Sequence, residues 1–187
     1  MVGIPMELSP QFREDAPVVF LNESARFDPA IVSRIDKRLR AGKTVVITSG
    51  LLKALQGKGI EQIVDLEVSD RRVLTRRFSN FWSGVWEAER DILLPQVRYA
   101  TNDSWEEITA LAGPNGFPLL HHADYGSGRL FVLTVPDNFA DLYALSLDSV
   151  GPLLAPKSKK KEWLGARNLL DGIEKSRSRE LHRLLFG

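Results

Sequence analysis

Lys43-Thr44-Val45-Val46-Ile47-Thr48-Ser49-Gly50 is the stretch on which the fold of this chain turns. Thr44 to Thr48 are all β-branched, which favours an extended strand, and the small pair Ser49-Gly50 ends it abruptly. A strand core without polar alternation is buried on both faces, as in a parallel sheet. Arg129-Leu130-Phe131-Val132-Leu133-Thr134-Val135-Pro136-Asp137 repeats the pattern. In an open α/β sheet, sites are built where such strands end.

Working outward, Ala16–Leu21 reads as an earlier buried strand. Asp28-Pro29 supplies a helix N-cap and a first-turn proline. Ala30–Ala41 then places Ile31, Ile35 and Leu39 at helical spacing, with Arg34, Lys37, Arg38 and Arg40 largely on the other face. Gly42 ends that helix, and Leu51–Gln56 forms a short one before Gly57 and Gly59. This alternation of strand and helix predicts a parallel sheet covered on both sides. Further on, Ile63–Val68 and Arg72–Phe78 read as strands. Trp82 and Trp86 stand at helical spacing, and Asn102-Asp103-Ser104 reads as the cap of a helix beginning near Trp105. Phe117–His122, the turn Tyr125-Gly126-Ser127-Gly128 and Arg129–Val135 read as a hairpin.

Composition narrows the chemistry. The 187 residues suit one domain with an appendage, and the net charge is +1. Residues 157–187 hold 9 Lys/Arg against 4 Asp/Glu, so residues 1–156 are net acidic. The expected organisation is an α/β domain over 1–156 followed by a basic linker and helical segment over 157–187. That tail offers no interleaved aromatic stacking platform and the net charge of the whole chain is only +1, so neither nucleic acid nor a membrane is expected as partner. The absence of cysteine removes disulfides, thiolate nucleophiles and Cys-ligated metals. No signal-peptide pattern and no apolar run of about 20 residues is present, so the chain reads as soluble. Gly3–Leu8 reads like an inner strand, which leads us to expect that the chain is a segment of a longer protein.

Two motifs carry a resemblance. Arg38-Leu39-Arg40-Ala41-Gly42-Lys43 leading into Val45-Val46-Ile47-Thr48-Ser49-Gly50 resembles the helix, turn and nucleophile elbow of the class I glutamine-amidotransferase-like superfamily. Tyr125-Gly126-Ser127-Gly128-Arg129 resembles the hairpin of its non-amidotransferase relatives, including ThuA-like proteins and the trimerisation domain of some β-galactosidases. The resemblance covers residues 3–147. It implies a flavodoxin-like three-layer α/β sandwich with a mainly parallel central sheet and a late antiparallel hairpin. It also places Ser49 where catalytic members have cysteine, Val135 where they have histidine, and Asp137 where they have glutamate. Val135 cannot accept a proton, so glutamine amidotransferase chemistry is excluded.

Several residues remain as candidates. A Ser-His-Asp hydrolase would use Ser49, His121 or His122, and Asp124 or Asp137. The simpler reading is that Ser49 caps the next helix, since the G-x-S-x-G context is missing. His122 and Asp124 share a strand face, but two ligands make a poor metal site, so none is expected. Asn22, Glu23, Ser49, Asp137 and Asn138 are the candidate ligand contacts, because all follow predicted strand ends. The expectation is therefore a non-catalytic domain, without cofactor. It would bind a small polar ligand, with carbohydrate suggested by the resemblance, or serve assembly with a neighbouring domain or a second copy.

Overall fold

The computed structural model describes residue 12 and residues 14–16, 18–80, 84–100, 103–112, 116–136 and 141. The chain folds as β1 (Val18–Leu21), a 3-10 turn (Glu23–Phe27), α1 (Ile31–Arg40), β2 (Thr44–Thr48), α2 (Ser49–Leu55), a second 3-10 turn (Ile60–Gln62), β3 (Leu66–Asn80), β4 (Gly84–Tyr99), β5 (Ser104–Ala110), β6 (Pro118–Tyr125) and β7 (Gly128–Leu133). The described strands form a seven-stranded sheet in the order β1-β2-β7-β6-β5-β3-β4.

This order corrects the flavodoxin-like three-layer expectation. Only β1–β2 and β2–β7 pair in parallel; β7–β6, β6–β5, β5–β3 and β3–β4 are antiparallel. The first βαβ unit does make a parallel pair, with Val19 opposite Val45. After α2, however, no further crossover helix appears among the described residues, and the chain meanders through antiparallel strands. Parallel pairing needs a long crossover, whereas antiparallel pairing needs only a turn.

Layering follows from the two apolar clusters. One joins Ile31, Ile35 and Leu39 of α1 and Leu51, Leu52 and Leu55 of α2 to Val19, Val45, Ile47, Leu130 and Val132. The other holds Val18, Val46, Phe78, Ile92, Leu94, Ile108 and Phe131, with no residue of either helix. Both described helices thus cover one face of the sheet, where a three-layer sandwich would divide them between two.

Local expectations shift in instructive ways. Gly42, at φ 75°, does end α1. α1 begins later than expected, with Ala30 rather than Asp28 as its N-cap and no side-chain cap; Asp28 Oδ1 accepts from Ala30 N–H at 2.9 Å in the turn before the helix. Arg38 is buried at 2% exposure, because its guanidinium donates to the carbonyls of Glu14 and Ala16 and so ties the preceding segment to α1. The segment from Trp105 is strand, since Ser104–Ala110 pairs with β6 and Asp103 sits in the turn before it. Trp86 also lies on a strand, its Cα opposite Phe78, so its helical spacing to Trp82 was fortuitous. Trp82, residues 137–140 and the basic tail 157–187 lie outside the described residues.

Candidate functional site

The carboxyl ends of β1, β2 and β7 lie side by side because these three strands run parallel. Asn22, Glu23 and Ser24 follow β1, Ser49 and Gly50 follow β2, and Val135 and Pro136 follow β7. All of them line one cleft of about 650 Å³. Phe20, Thr48, Lys53, Leu133 and, from the β3–β4 hairpin, Val68, Arg72 and Pro95 complete its wall. β1 and β3 stand near opposite ends of the sheet order, yet meet here. A bulge explains the approach: Val68 pairs with Val97 and Arg72 with Pro95, so β3 carries extra residues that bend it toward α2. Lys53 of α2 reaches Asp70 in that bulge at 3.6 Å.

At the cleft floor, Ser49 Oγ accepts a hydrogen bond from Val135 N–H at 3.0 Å, and Ser49 is 3% exposed. The helix cap expected of Ser49 belongs to Thr48, whose Oγ1 accepts from Leu51 N–H at 3.2 Å. Ser49 is instead the first residue of α2. Asn22 Oδ1 accepts from Ser24 N–H at 3.0 Å and starts the first 3-10 turn. Glu23 pairs with Arg26, and its other carboxylate oxygen would lie 3.1 Å from a Cβ at Gly50. Glycine at position 50 thus leaves room for that carboxylate. Asp137 and Asn138 lie outside the described residues.

The structure does not bring Ser49 and the histidines together. Thr48 pairs with Leu133 on one side of β7, while His121 and His122 pair with Val132 and Phe131 on the other. The imidazoles therefore belong to a strand two spacings away, roughly 10 Å. Neither imidazole hydrogen-bonds Ser49, since His122 is engaged by Glu107 and Asp124 and His121 has no hydrogen-bond partner, so no general base is in place for the serine.

Each histidine has a different environment. His122 is 2% exposed and sandwiched chemically between two carboxylates, with Nδ1 3.1 Å from Glu107 Oε1 and Nε2 3.0 Å from Asp124 Oδ1. Its ring stacks on Phe131 at 4.7 Å, and Trp105 meets it edge-on at 4.1 Å while donating Nε1–H to Glu107 at 2.9 Å. Glu107 escaped the sequence reading; its two-residue offset from Trp105 would have exposed it once that segment was read as a strand. The two carboxylates lie on opposite edges of the ring and cannot chelate one ion. Among the described residues, no group of His, Asp and Glu is placed to hold a metal. His121 faces the other way, fully buried, with neither ring nitrogen partnered. Burial, helped by the neighbouring His122, pushes its pKa down to about 4.

The Tyr125–Arg129 motif is a packing device. Gly128 lies so close to α1 that a Cβ would come within 2.3 Å of the Leu39 carbonyl oxygen and 2.7 Å of that of Lys43. Tyr125 Oη donates to Asp36 at 2.8 Å, and Arg40 Nε donates to the same carboxylate at 2.9 Å. The motif clamps the β6–β7 turn onto the end of α1.

Residues 1–138 match the family model of the uncharacterized protein SSO3021, second domain, and the chain belongs to that family. No curated protein matches it. Among solved structures, cytoplasmic protein STM1381 from Salmonella typhimurium LT2 is similar with a TM-score of 0.50 at 14% identity, over 70% of this chain and 65% of that one. Cytoplasmic protein STM3548 from Salmonella typhimurium gives 0.45 at 13% identity, over 67% and 63%. A β-galactosidase from Bacillus circulans sp. alkalophilus gives 0.45 at 12% identity, over 69% of this chain and 22% of the enzyme. The chain thus spans about 65% of the first of these proteins, and that likeness shows the fold alone. β-Galactosidases, expected from the hairpin motif, do occur among the neighbours; the amidotransferase-like assignment finds no support in these matches. Among the described residues, no helix is long and apolar enough to cross a membrane.

Proposed function

We propose that this member of the SSO3021 second-domain family is a non-catalytic domain of a larger protein that binds a small polar ligand in the cleft at the ends of β1, β2 and β7. The observation that carries the reading is the Ser49–Val135 hydrogen bond. It commits the serine at the strand end to holding the β7 end in place, in a cleft that otherwise presents hydrogen-bonding groups beside an apolar wall. Asn22, Glu23 and Ser49 are the proposed contacts, and Asp137 and Asn138 belong to the same proposal on their sequence alone. Carbohydrates are one ligand class to screen, because they combine hydroxyls with apolar ring faces.

A thermal-shift panel of sugars, nucleotides, small anions and divalent metals tests this. A ligand at about 100 times its Kd stabilises the fold by about 2.7 kcal/mol. A hit that Asn22→Ala or Glu23→Ala abolishes supports the cleft; a hit indifferent to both removes it.

A second reading, assembly with a neighbouring domain or a second copy, is favoured by one observation. Leu74 and Leu93 lie opposite each other across β3 and β4 with 60% and 37% exposure. Leu74→Asp would then shift the mass in light scattering, and a strict monomer would count against self-assembly.

A further inference from the structure

Charged groups of both signs line the cleft, and this sets what it can hold. Asn22 and Glu23 follow β1; Glu23 pairs with Arg26 through one carboxylate oxygen and lies over Gly50 with the other. Two cations line the same cleft, Lys53 on α2 and Arg72 on β3. Arg72 is brought there by the β3 bulge. Ser69 Oγ donates to Gln96 Oε1 at 2.7 Å and fixes the bulge on β4, and Arg72 Nη1 donates to the carbonyls of Ser69 and Arg71 at 3.0 Å each. The guanidinium is therefore positioned before any ligand arrives, which lowers the cost of binding an anion.

Lys53 is held more loosely. Its partner Asp70 is fully exposed, so the pair is open to solvent and screened. A ligand anion entering the cleft can replace Asp70 at Lys53 with little loss. Phe20, Leu133, Val135 and Pro136 also line the cleft and offer apolar contact to a carbon skeleton.

We infer that the cleft takes a small polyol bearing one anionic group, with the anion at Lys53 and Arg72 and the hydroxyls at Glu23 and Asn22. The inference rests on the cleft reading above and adds the ligand's charge and polarity. A carboxylate accepts hydroxyl hydrogens but repels an anion, so Glu23 sets which way the molecule lies. A carboxylate and a phosphate satisfy Lys53 and Arg72 alike, so the probes must separate them.

Calorimetry on the full chain with D-glucuronate, glycerol phosphate, D-glucose and inorganic phosphate tests this. The expected result is binding of D-glucuronate or glycerol phosphate at least about tenfold tighter than of D-glucose and of inorganic phosphate, weakening as salt rises. Which of the two binds identifies the anionic group. Lys53→Gln with Arg72→Gln should remove that preference and leave residual binding equal to that of D-glucose, with an unchanged melting temperature confirming the fold. Glu23→Gln should weaken both anionic polyols and leave inorganic phosphate unaffected. D-Glucose binding as tightly as the anionic polyols would overturn the charge assignment while the cleft reading stands. Inorganic phosphate binding as tightly as they do would also overturn it, leaving an anion site without a polyol half. No binding of any of the four probes at millimolar concentration overturns the inference, and the cleft reading then falls only if the wider ligand panel is silent too.

Discussion

Ser49 Oγ accepts a hydrogen bond from Val135 N–H at 3.0 Å, joining the start of α2 to the end of β7 across 86 positions of sequence. The bond lies at the floor of the cleft and is almost wholly buried. Ser49→Ala would leave the Val135 N–H without its acceptor, at a cost of about 1–3 kcal/mol. For a chain of this size that lowers Tm by about 2–4 °C per kcal/mol. An unchanged melting curve would show that Val135 finds another acceptor.

Gly128→Ala should be among the more damaging small substitutions. The new Cβ would meet backbone atoms of Leu39 at 2.3 and 2.6 Å, and backbone cannot rotate away. Overpacking of this kind costs about 1–3 kcal/mol or more. Gly57→Ala is the control. It has open space around it but φ at +74°, so only the left-handed backbone penalty of about 1–2 kcal/mol applies. Chemical denaturation of the two variants should rank them in that order.

Asp36 offers a pH reading of the hairpin clamp. Hydrogen bonds from Arg40 first and Tyr125 second hold its carboxyl below the usual aspartate range. A depressed carboxylate pKa adds stability that is present above the unfolded value and fades as pH falls through the folded one. Tyr125→Phe should move the Asp36 titration upward in NMR, part of the way to its ordinary value. A titration that stays put would assign the whole effect to Arg40.

His121 gives the opposite pH test. Burial holds its pKa at about 4 against an ordinary 6.5. The unfolded chain therefore takes up a proton between those values while the folded chain does not. Stability from this residue is complete above about pH 6.5 and declines by about 3 kcal/mol as pH falls to about 4. His121→Leu should flatten the stability profile in that window. A variant with the wild-type slope would place the acid sensitivity elsewhere.

The segments read correctly from sequence and those misread differ in where their stabilising partners lie. Gly42 and the Ile31, Ile35 and Leu39 stripe act within a few residues, so α1 and the strands beside it were legible in outline. Trp105 misled because Asn102-Asp103-Ser104 is a cap pattern, and nothing nearby reveals that Trp105 stands opposite His122 on β6. Arg38 misled because its acceptors are the carbonyls of Glu14 and Ala16, more than twenty residues upstream. In the cleft, Asn22, Glu23 and Ser49 were legible as strand-end residues; Lys53, Arg72 and Pro95 were not, since a bulge delivers the last two.

By itself, then, the sequence determined the β1-α1-β2-α2 unit, the late hairpin and the lack of thiolate chemistry. Helical periodicity, turn glycines and the presence or absence of a functional group are local properties. Only the tertiary structure decided that β7, the last of the described strands, pairs beside β2, that the described strands β3 to β6 pair antiparallel, and that Ser49 meets a backbone amide instead of an imidazole. Strand pairing draws its energy from partners far apart in the chain, so the same apolar run serves a parallel or an antiparallel neighbour until the whole sheet assembles.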